Sequence, residues 1–131
     1  MKRIPYRGVL RSLIWLQVIT RPNLSYTVGL LSHFTHNPGK THWNAIKHIL
    51  AYVKRTMHYR ITYKGNTDLN PIGYVNSDFA GCQNTHCSTE GNIFLVSDRP
   101  VSWENKRQET VALSTVEAEY MAFSRATTQA I

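Results

Sequence analysis

Hydrophobic positions in the first half of the chain recur with the spacing of helices. The helix predicted behind Pro22 has apolar residues at intervals of four, three and three positions, namely Leu24, Val28, Leu31 and Phe34. The next segment, residues 43–57, is apolar on one side and basic on the other. A shorter apolar segment, residues 9–18, precedes both. The pattern predicts three helices up to about His58.

After His58 the hydrophobic period shortens to about two residues, which is typical of strands. The predicted strands are residues 59–64, 71–79, 89–97 and 101–107. Turns are expected at Gly65-Asn66 and at residues 98–100, and Ser114 with Glu117 forms a capping-box pattern before a last helix. The chain is therefore predicted to be α+β, with helices followed by three antiparallel strands and a helix, in units 1–58 and 59–131.

Candidate chemistry lies on the strand 71–79 and the last helix. Side chains two apart on a strand share a face, so Asn76 and Asp78 should lie about 6.6 Å apart along it. The last helix is predicted to turn one stripe toward the sheet, namely Val116, Glu119, Tyr120 and Phe123. Glu119 would then meet Asn76 or Asp78, and carboxylates there would hold divalent metal for phosphodiester hydrolysis. The alternative is that Asp78 is a turn residue and Glu119 a surface acid.

Charge is distributed unevenly along the chain. The net charge is +7, but residues 1–67 contain eleven basic residues and no acid, whereas residues 68–131 contain four basic and eight acidic residues. A basic N-terminal half favours a polyanion such as nucleic acid, and a solvated basic helix face is the alternative. Candidate contacts to nucleic acid are Lys47, Lys54, Arg55, Lys106 and Arg107.

Several classes of protein are not expected from this sequence. The longest apolar run, residues 12–19, is far shorter than the roughly 18–20 residues that cross a bilayer, so no membrane partner is predicted. No targeting signal is recognised, and the two cysteines, Cys82 and Cys87, favour a reduced, intracellular location, cytoplasmic or nuclear. With His86 they supply only three of the four ligands that a structural zinc site needs.

Eight short segments resemble a known family in the same order and spacing. The segments are Pro5-Tyr6-Arg7, residues 20–26, Pro38 with His42-Trp43, residues 52–56, residues 73–81, residues 88–91, Ser102-Trp103 with residues 106–108, and residues 111–120. Together they resemble the Pol polyprotein of copia-type retrotransposons. The resemblance runs from the thumb and connection region of reverse transcriptase into the ribonuclease H domain.

The resemblance implies a ribonuclease H-like fold and hydrolysis of the RNA strand in RNA/DNA hybrids by two Mg²⁺ ions. It carries the first catalytic Asp of the family to Asn76, the second Asp of the same strand motif to Asp78, and the catalytic Glu to Glu119. Asn76 lacks the negative charge of that Asp, and the third and fourth acids of the family are expected beyond Ile131. We therefore expect negligible nuclease activity, and DNA synthesis is excluded because the polymerase's paired aspartates are not in this sequence.

Two functional hypotheses follow from the residues and the resemblance together. One is a fragment of a copia-type polyprotein that has lost ribonuclease H activity. The other is a nucleic-acid-binding module that uses the basic N-terminal helices without catalysis. The family's strand order also leaves one edge of the strand 71–79 without its neighbour here, so self-association through an open sheet edge is expected.

Overall fold

The computed structural model describes residues 5–65, 69–82 and 85–130, and over these residues the elements follow the predicted order. The elements are α1 (Tyr6–Ile19), a 3₁₀ turn (Pro22–Leu24), α2 (Ser25–Ser32), α3 (Lys40–Arg55), β1 (Pro71–Asp78), β2 (Thr89–Val96), β3 (Arg99–Arg107) and α4 (Thr115–Ala130). The predicted α+β class, with helices, then an antiparallel sheet, then a helix, is confirmed. The chain divides into two units, Met1–Ile61 and Thr62–Ile131.

Unit 1 is built around one apolar cluster where its three helices meet. The predicted periodicity places the buried side chains on the inner face of each helix, and they are Tyr6, Leu10, Leu13, Leu24, Val28, Leu31, Ile46 and Ile49. The Tyr6 hydroxyl donates a hydrogen bond to the carbonyl of Leu31 at 2.9 Å, which satisfies the one polar group that α1 brings into this cluster. Burial raises the pKa of Tyr6 above 10.0.

The C-terminal end of α3 is capped by the side chain of Arg21, which lies earlier in unit 1. Arg21 Nη1 donates to the Thr56 hydroxyl at 3.2 Å, and Arg21 Nη2 donates to the Thr56 carbonyl at 2.5 Å. The last carbonyls of a helix carry partial negative charge and lack partners within the helix, so a guanidinium at this position stabilises the helix end. Arg21 is therefore a structural cation.

Unit 2 contains a three-stranded antiparallel sheet in the order β1-β2-β3. Ser77 pairs with Glu90, and Val75 pairs with Asn92, which in turn pairs with Glu104 on β3. The turn between β2 and β3 is tighter than predicted. Only Ser97 and Asp98 form it, both with positive φ, because two left-handed residues give the twist that a two-residue hairpin needs.

The predicted strand at residues 59–64 is wrong, since the structure has no strand there. Hydrogen bonds hold Thr62 and Tyr63 beside the start of β3. Tyr63 donates its hydroxyl hydrogen to the Pro100 carbonyl at 2.5 Å, and Arg99 Nε donates to the Thr62 carbonyl at 3.1 Å. Pro100 has no N–H to continue a backbone ladder, which accounts for the difference. The predicted turn at Gly65-Asn66 lies partly outside the described residues.

The face that α4 turns toward the sheet also differs from the prediction. The buried stripe is Ala118, Ala122 and Ala126, whereas Val116, Tyr120 and Phe123 are exposed. The helical spacing of the large apolar residues predicted the wrong face. The buried face consists of small alanine side chains, which contribute little to the hydrophobic pattern but let the helix backbone approach the sheet closely. Over the described parts of the chain, the helices are too short or too polar to span a bilayer.

Candidate functional site

The two faces of β1 are distinguished by Gln108. Its side-chain amide nitrogen donates to the hydroxyl of Ser77 at 3.4 Å and to the carbonyl of Ala118 at 2.9 Å, so Ser77 lies on the face that α4 covers. Because side chains alternate along a strand, Asn76 and Asp78 lie on the other face. The structure therefore places the strand-borne pair on one face of the sheet and the helix that carries Glu119 on the other.

Asp78 closes the loop that joins β1 to β2. Its carboxylate accepts a hydrogen bond from the backbone N–H of Thr89, and it also lies against Gly81 so closely that a Cβ at residue 81 would overlap it. Two residues further along, the Ala80 N–H donates to the Ser88 hydroxyl at 3.2 Å. These contacts satisfy polar groups at both ends of the loop, as a turn-stabilising aspartate does.

Glu119 is an exposed residue of α4, and Glu117, two residues earlier, is exposed as well. The Glu117 amide donates to the Ser114 hydroxyl at 3.1 Å, and the Glu117 carboxylate accepts the Leu113 N–H at 2.7 Å. The predicted cap at Ser114 is confirmed, although Glu117 reaches the amide of Leu113 rather than that of Ser114. Glu117 is thereby assigned to helix capping, while the predicted role of Glu119 stays a prediction.

The residues present do not fit a pair of magnesium ions. Two-metal hydrolysis requires several carboxylates gathered around one phosphate. Asn76 is exposed and neutral, and one oxygen of the Asp78 carboxylate accepts a hydrogen bond from the Thr89 amide. Among residues 5–65, 69–82 and 85–130, no three His, Cys, Asp or Glu side chains are grouped as metal ligands.

A polar network between the sheet and α4 was not predicted from the sequence. Arg125 donates two hydrogen bonds to Glu104, each 3.0 Å long, and its Nε lies 3.2 Å from a carboxylate oxygen of buried Glu90. The hydrogen bonds from Arg125 lower the pKa of Glu104 below 4.5, although burial opposes the shift. The same hydrogen bonds raise the pKa of Arg125. The only sequence signal was the alternation of Glu90 and Asn92 along β2.

The predicted basic contacts lie in two different settings. On α3, three lysines recur every seventh residue and are exposed, namely Lys40, Lys47 and Lys54, and Arg55 is exposed beside them. Unit 1 contains no Asp or Glu, so no carboxylate of that unit neutralises these cations. On β3, Lys106 forms an ion pair with Glu109 at 3.2 Å, and Arg107 is exposed.

Relatives of known name match along nearly the whole chain. The chain is 40% identical over 131 residues to the secreted RxLR effector protein 161 of Plasmopara viticola, covering all of this chain and 92% of that protein. It is 41% identical over 124 residues to the retrovirus-related Pol polyprotein from transposon TNT 1-94 of Nicotiana tabacum, and 38% identical over 124 residues to that from transposon RE2 of Arabidopsis thaliana. These matches cover 93% and 95% of this chain.

Over most of its length the chain is homologous to a short segment of the retrovirus-related Pol polyproteins of copia-type transposons. The resemblance drawn from eight short segments is thereby confirmed. The chain spans 9% of the TNT 1-94 polyprotein and 8% of the RE2 polyprotein, so it corresponds to a small segment of a copia-type Pol. No protein-family profile matches the chain. No solved structure matches it either.

Proposed function

We propose that this copia-type Pol segment derives from the reverse transcriptase–ribonuclease H region and binds nucleic acid without hydrolysing it. The observation that carries the proposal is the separation of charge between the two units. Unit 1 has ten basic residues and no acid, and unit 2 has five basic residues and all eight acids. A helical unit whose charged residues are all basic attracts a phosphate backbone regardless of base sequence.

The α3 lysines supply the geometry for such binding. Lys47 and Lys54 are two helical turns apart, which places them about 10.5 Å from each other along one side of α3. They are exposed, whereas Ile46 and Ile49 of the same helix are buried. Long flexible ammonium groups in a row can follow successive phosphates of a duplex or an RNA/DNA hybrid.

The absence of hydrolysis in the proposal rests on Asn76, Asp78 and Glu119. In the polyprotein family these positions carry the strand and helix carboxylates of ribonuclease H. Here Asn76 is uncharged, the carboxylate of Asp78 already accepts the Thr89 amide, and Glu119 belongs to the helix on the other face of the sheet. Mg²⁺ bound at one remaining carboxylate would lack the second ion that stabilises the leaving oxygen.

Binding is tested by titrating a labelled RNA/DNA hybrid with the whole chain at several salt concentrations. We expect the affinity to fall with salt, and the slope of log affinity against log salt to become shallower by about 2 in the Lys47→Ala/Lys54→Ala double variant. Lys64→Ala serves as the control, because it removes a single charge from unit 2. An affinity that does not depend on salt, or equal slopes in all three proteins, would contradict the binding proposal.

Hydrolysis is tested separately with the same hybrid and Mg²⁺ or Mn²⁺. We expect no cleavage by the unmodified chain. Asn76→Asp restores the missing charge, and Glu119→Gln removes the family's glutamate. Cleavage by the unmodified chain that disappears in Glu119→Gln would show that the chain is a nuclease, whereas continued silence of Asn76→Asp would indicate that further carboxylates are required.

A further inference from the structure

The two cysteines face each other across the neck of the loop that joins β1 to β2. The Cys82 N–H donates a hydrogen bond to the Cys87 carbonyl at 3.2 Å, and the His86 N–H donates to the Cys82 carbonyl at 2.7 Å. His86 has a positive φ of 53°. A residue that bonds in this way to two successive residues opposite it, the first of them left-handed, forms one type of β-bulge. Both backbone polar groups of Cys82 are therefore held by the segment that carries Cys87.

Further hydrogen bonds fix the chain between this neck and the sheet. The Ala80 N–H donates to the hydroxyl of buried Ser88 at 3.2 Å. One step closer to the sheet, the Thr89 N–H donates to the carboxylate of Asp78. A continuous series of contacts that begins in the sheet thus holds the two cysteines beside each other.

The separation of the two cysteines suits a disulfide. Residues joined by backbone hydrogen bonds across an antiparallel hairpin have Cα atoms about 5.5 Å apart and side chains on the same face. Disulfides join residues whose Cα atoms are about 4.4–6.8 Å apart. Both side chains are thiols and are partly exposed, so a reagent from solution can reach them. A disulfide can therefore form while the backbone contact between Cys82 and Cys87 is retained.

We propose that Cys82 and Cys87 are a reversible redox pair, which a low-molecular-weight disulfide such as oxidised glutathione converts into an intramolecular disulfide that closes the β1–β2 loop. One cysteine attacks the reagent, forms a mixed disulfide and releases the first reduced thiol. The other cysteine then attacks the protein sulfur of the mixed disulfide and releases the second. Two protein thiols are oxidised, one reagent disulfide is reduced to two thiols, and the two protons of the protein thiols end on the released thiols.

The fold itself favours this disulfide. The bond closes a ring that runs only from Cys82 to Cys87, and it removes conformational freedom from the unfolded chain. The folded chain already holds the two residues together, so it loses less freedom when the bond forms. The disulfide therefore forms more readily in the folded chain than in the unfolded chain, by the same factor by which it stabilises unit 2.

The proposal is tested by equilibrating the whole chain in glutathione buffers, quenching with iodoacetamide and analysing the digest by mass spectrometry. We expect one peptide with both cysteines that is lighter by two hydrogen atoms and is not alkylated. At constant oxidised glutathione, an about tenfold rise in reduced glutathione should lower the ratio of disulfide to dithiol about a hundredfold, because each bond releases two thiols. A fall of only about tenfold with glutathione attached to the peptide, or a disulfide that joins two chains, would overturn the proposal.

Cys82→Ser and Cys87→Ser are matched controls, since each retains one thiol. Each should accumulate the mixed disulfide with glutathione, whose amount should fall only about tenfold in the same series.

The contribution of the fold is measured on the unmodified chain, with and without enough urea to unfold it. We expect the ratio of disulfide to dithiol to be about tenfold lower in urea, because the unfolded chain does not hold the cysteines together. Equal ratios in the two conditions would show that the fold does not bring Cys82 and Cys87 together, and this measurement does not depend on the folding of any variant.

Discussion

The carboxylate of Asp78 accepts a hydrogen bond from the backbone N–H of Thr89, the residue that pairs with it across β1 and β2. This contact joins the last residue of one strand to the first residue of the next and so fixes both ends of the intervening loop. Asp78, which stands where the family motif has its second aspartate, therefore stabilises the loop between β1 and β2.

Loss of the hydrogen bond between Asp78 and Thr89 should destabilise unit 2. We expect Asp78→Ala to lower the free energy of unfolding by about 1–3 kcal/mol, because the partly buried Thr89 amide loses a charged acceptor. Asp78→Asn should cost less, since it retains an acceptor oxygen. The measurement is urea unfolding followed by hydrogen exchange at the amides of β1 and β2. Glu119→Gln is the control, and equal losses in Asp78→Ala and Glu119→Gln would contradict the assigned role.

The effects on stability of substitutions at Gly81 and Asp78 should be coupled. A Cβ at residue 81 overlaps the Asp78 carboxylate, so Gly81→Ala must turn that side chain away and break its bond to Thr89. We therefore expect Gly81→Ala to destabilise unit 2 about as much as Asp78→Ala, and the double variant to lose little more than either single one. Urea unfolding of the four proteins gives the coupling, and losses that simply add would show that the two residues act independently.

The helices and strands were largely predictable because their signals are local. In unit 1, α2 follows the spacing of Leu24, Val28 and Leu31, and the hairpin of unit 2 follows from two alternating segments around a turn. The segment 59–64 alternates just as well, but its neighbour is Pro100, and nothing in the segment itself reveals that neighbour. Whether an alternating segment forms a strand therefore depends on whether a neighbouring strand can pair with it.

The candidate site was predictable only as far as it lies on one element. That Asn76 and Asp78 share a face follows from the two-residue period of a strand. The burial of Glu90 beside Arg125 does not, because that contact depends on the register of the sheet and on which face of α4 packs against it. The alanines of α4 form the face that packs against the sheet. The larger and more apolar residues Val116, Tyr120 and Phe123 are exposed, so hydrophobicity alone points to the wrong face.

The pair formed by Glu104 and Arg125 should make unit 2 sensitive to acid. Hydrogen bonds from Arg125 lower the pKa of Glu104 in the folded chain below its ordinary value of 4.5. A carboxyl whose folded pKa is lowered contributes stability that is fully present above the unfolded value and is lost as the pH falls through the folded value. Stability should therefore decline as the pH drops below about 4.5.

Urea unfolding across this pH range tests the pair. Glu104→Gln should be less stable than the unmodified chain at neutral pH, because the charged partner of Arg125 is lost, and its stability should fall less steeply in acid. Glu119→Gln, which removes an exposed acid from the same unit, should keep the acid dependence of the unmodified chain. A Glu104→Gln profile parallel to that of the unmodified chain would assign the acid sensitivity to other groups.

The close contact of α4 with the sheet should not tolerate a larger side chain. Ala122 is buried in the middle of the stripe, between Ala118 and Ala126. Ala122→Leu adds three carbons where the helix has no room for them, so the helix must move away or the leucine must adopt a strained rotamer, at a cost of about 1–3 kcal/mol. Phe123→Leu on the exposed side should change stability by less than about 0.5 kcal/mol. Hydrogen exchange of β1 and β2 in urea compares the two variants, and an Ala122→Leu protein as stable as Phe123→Leu would show that α4 does not pack through its alanines.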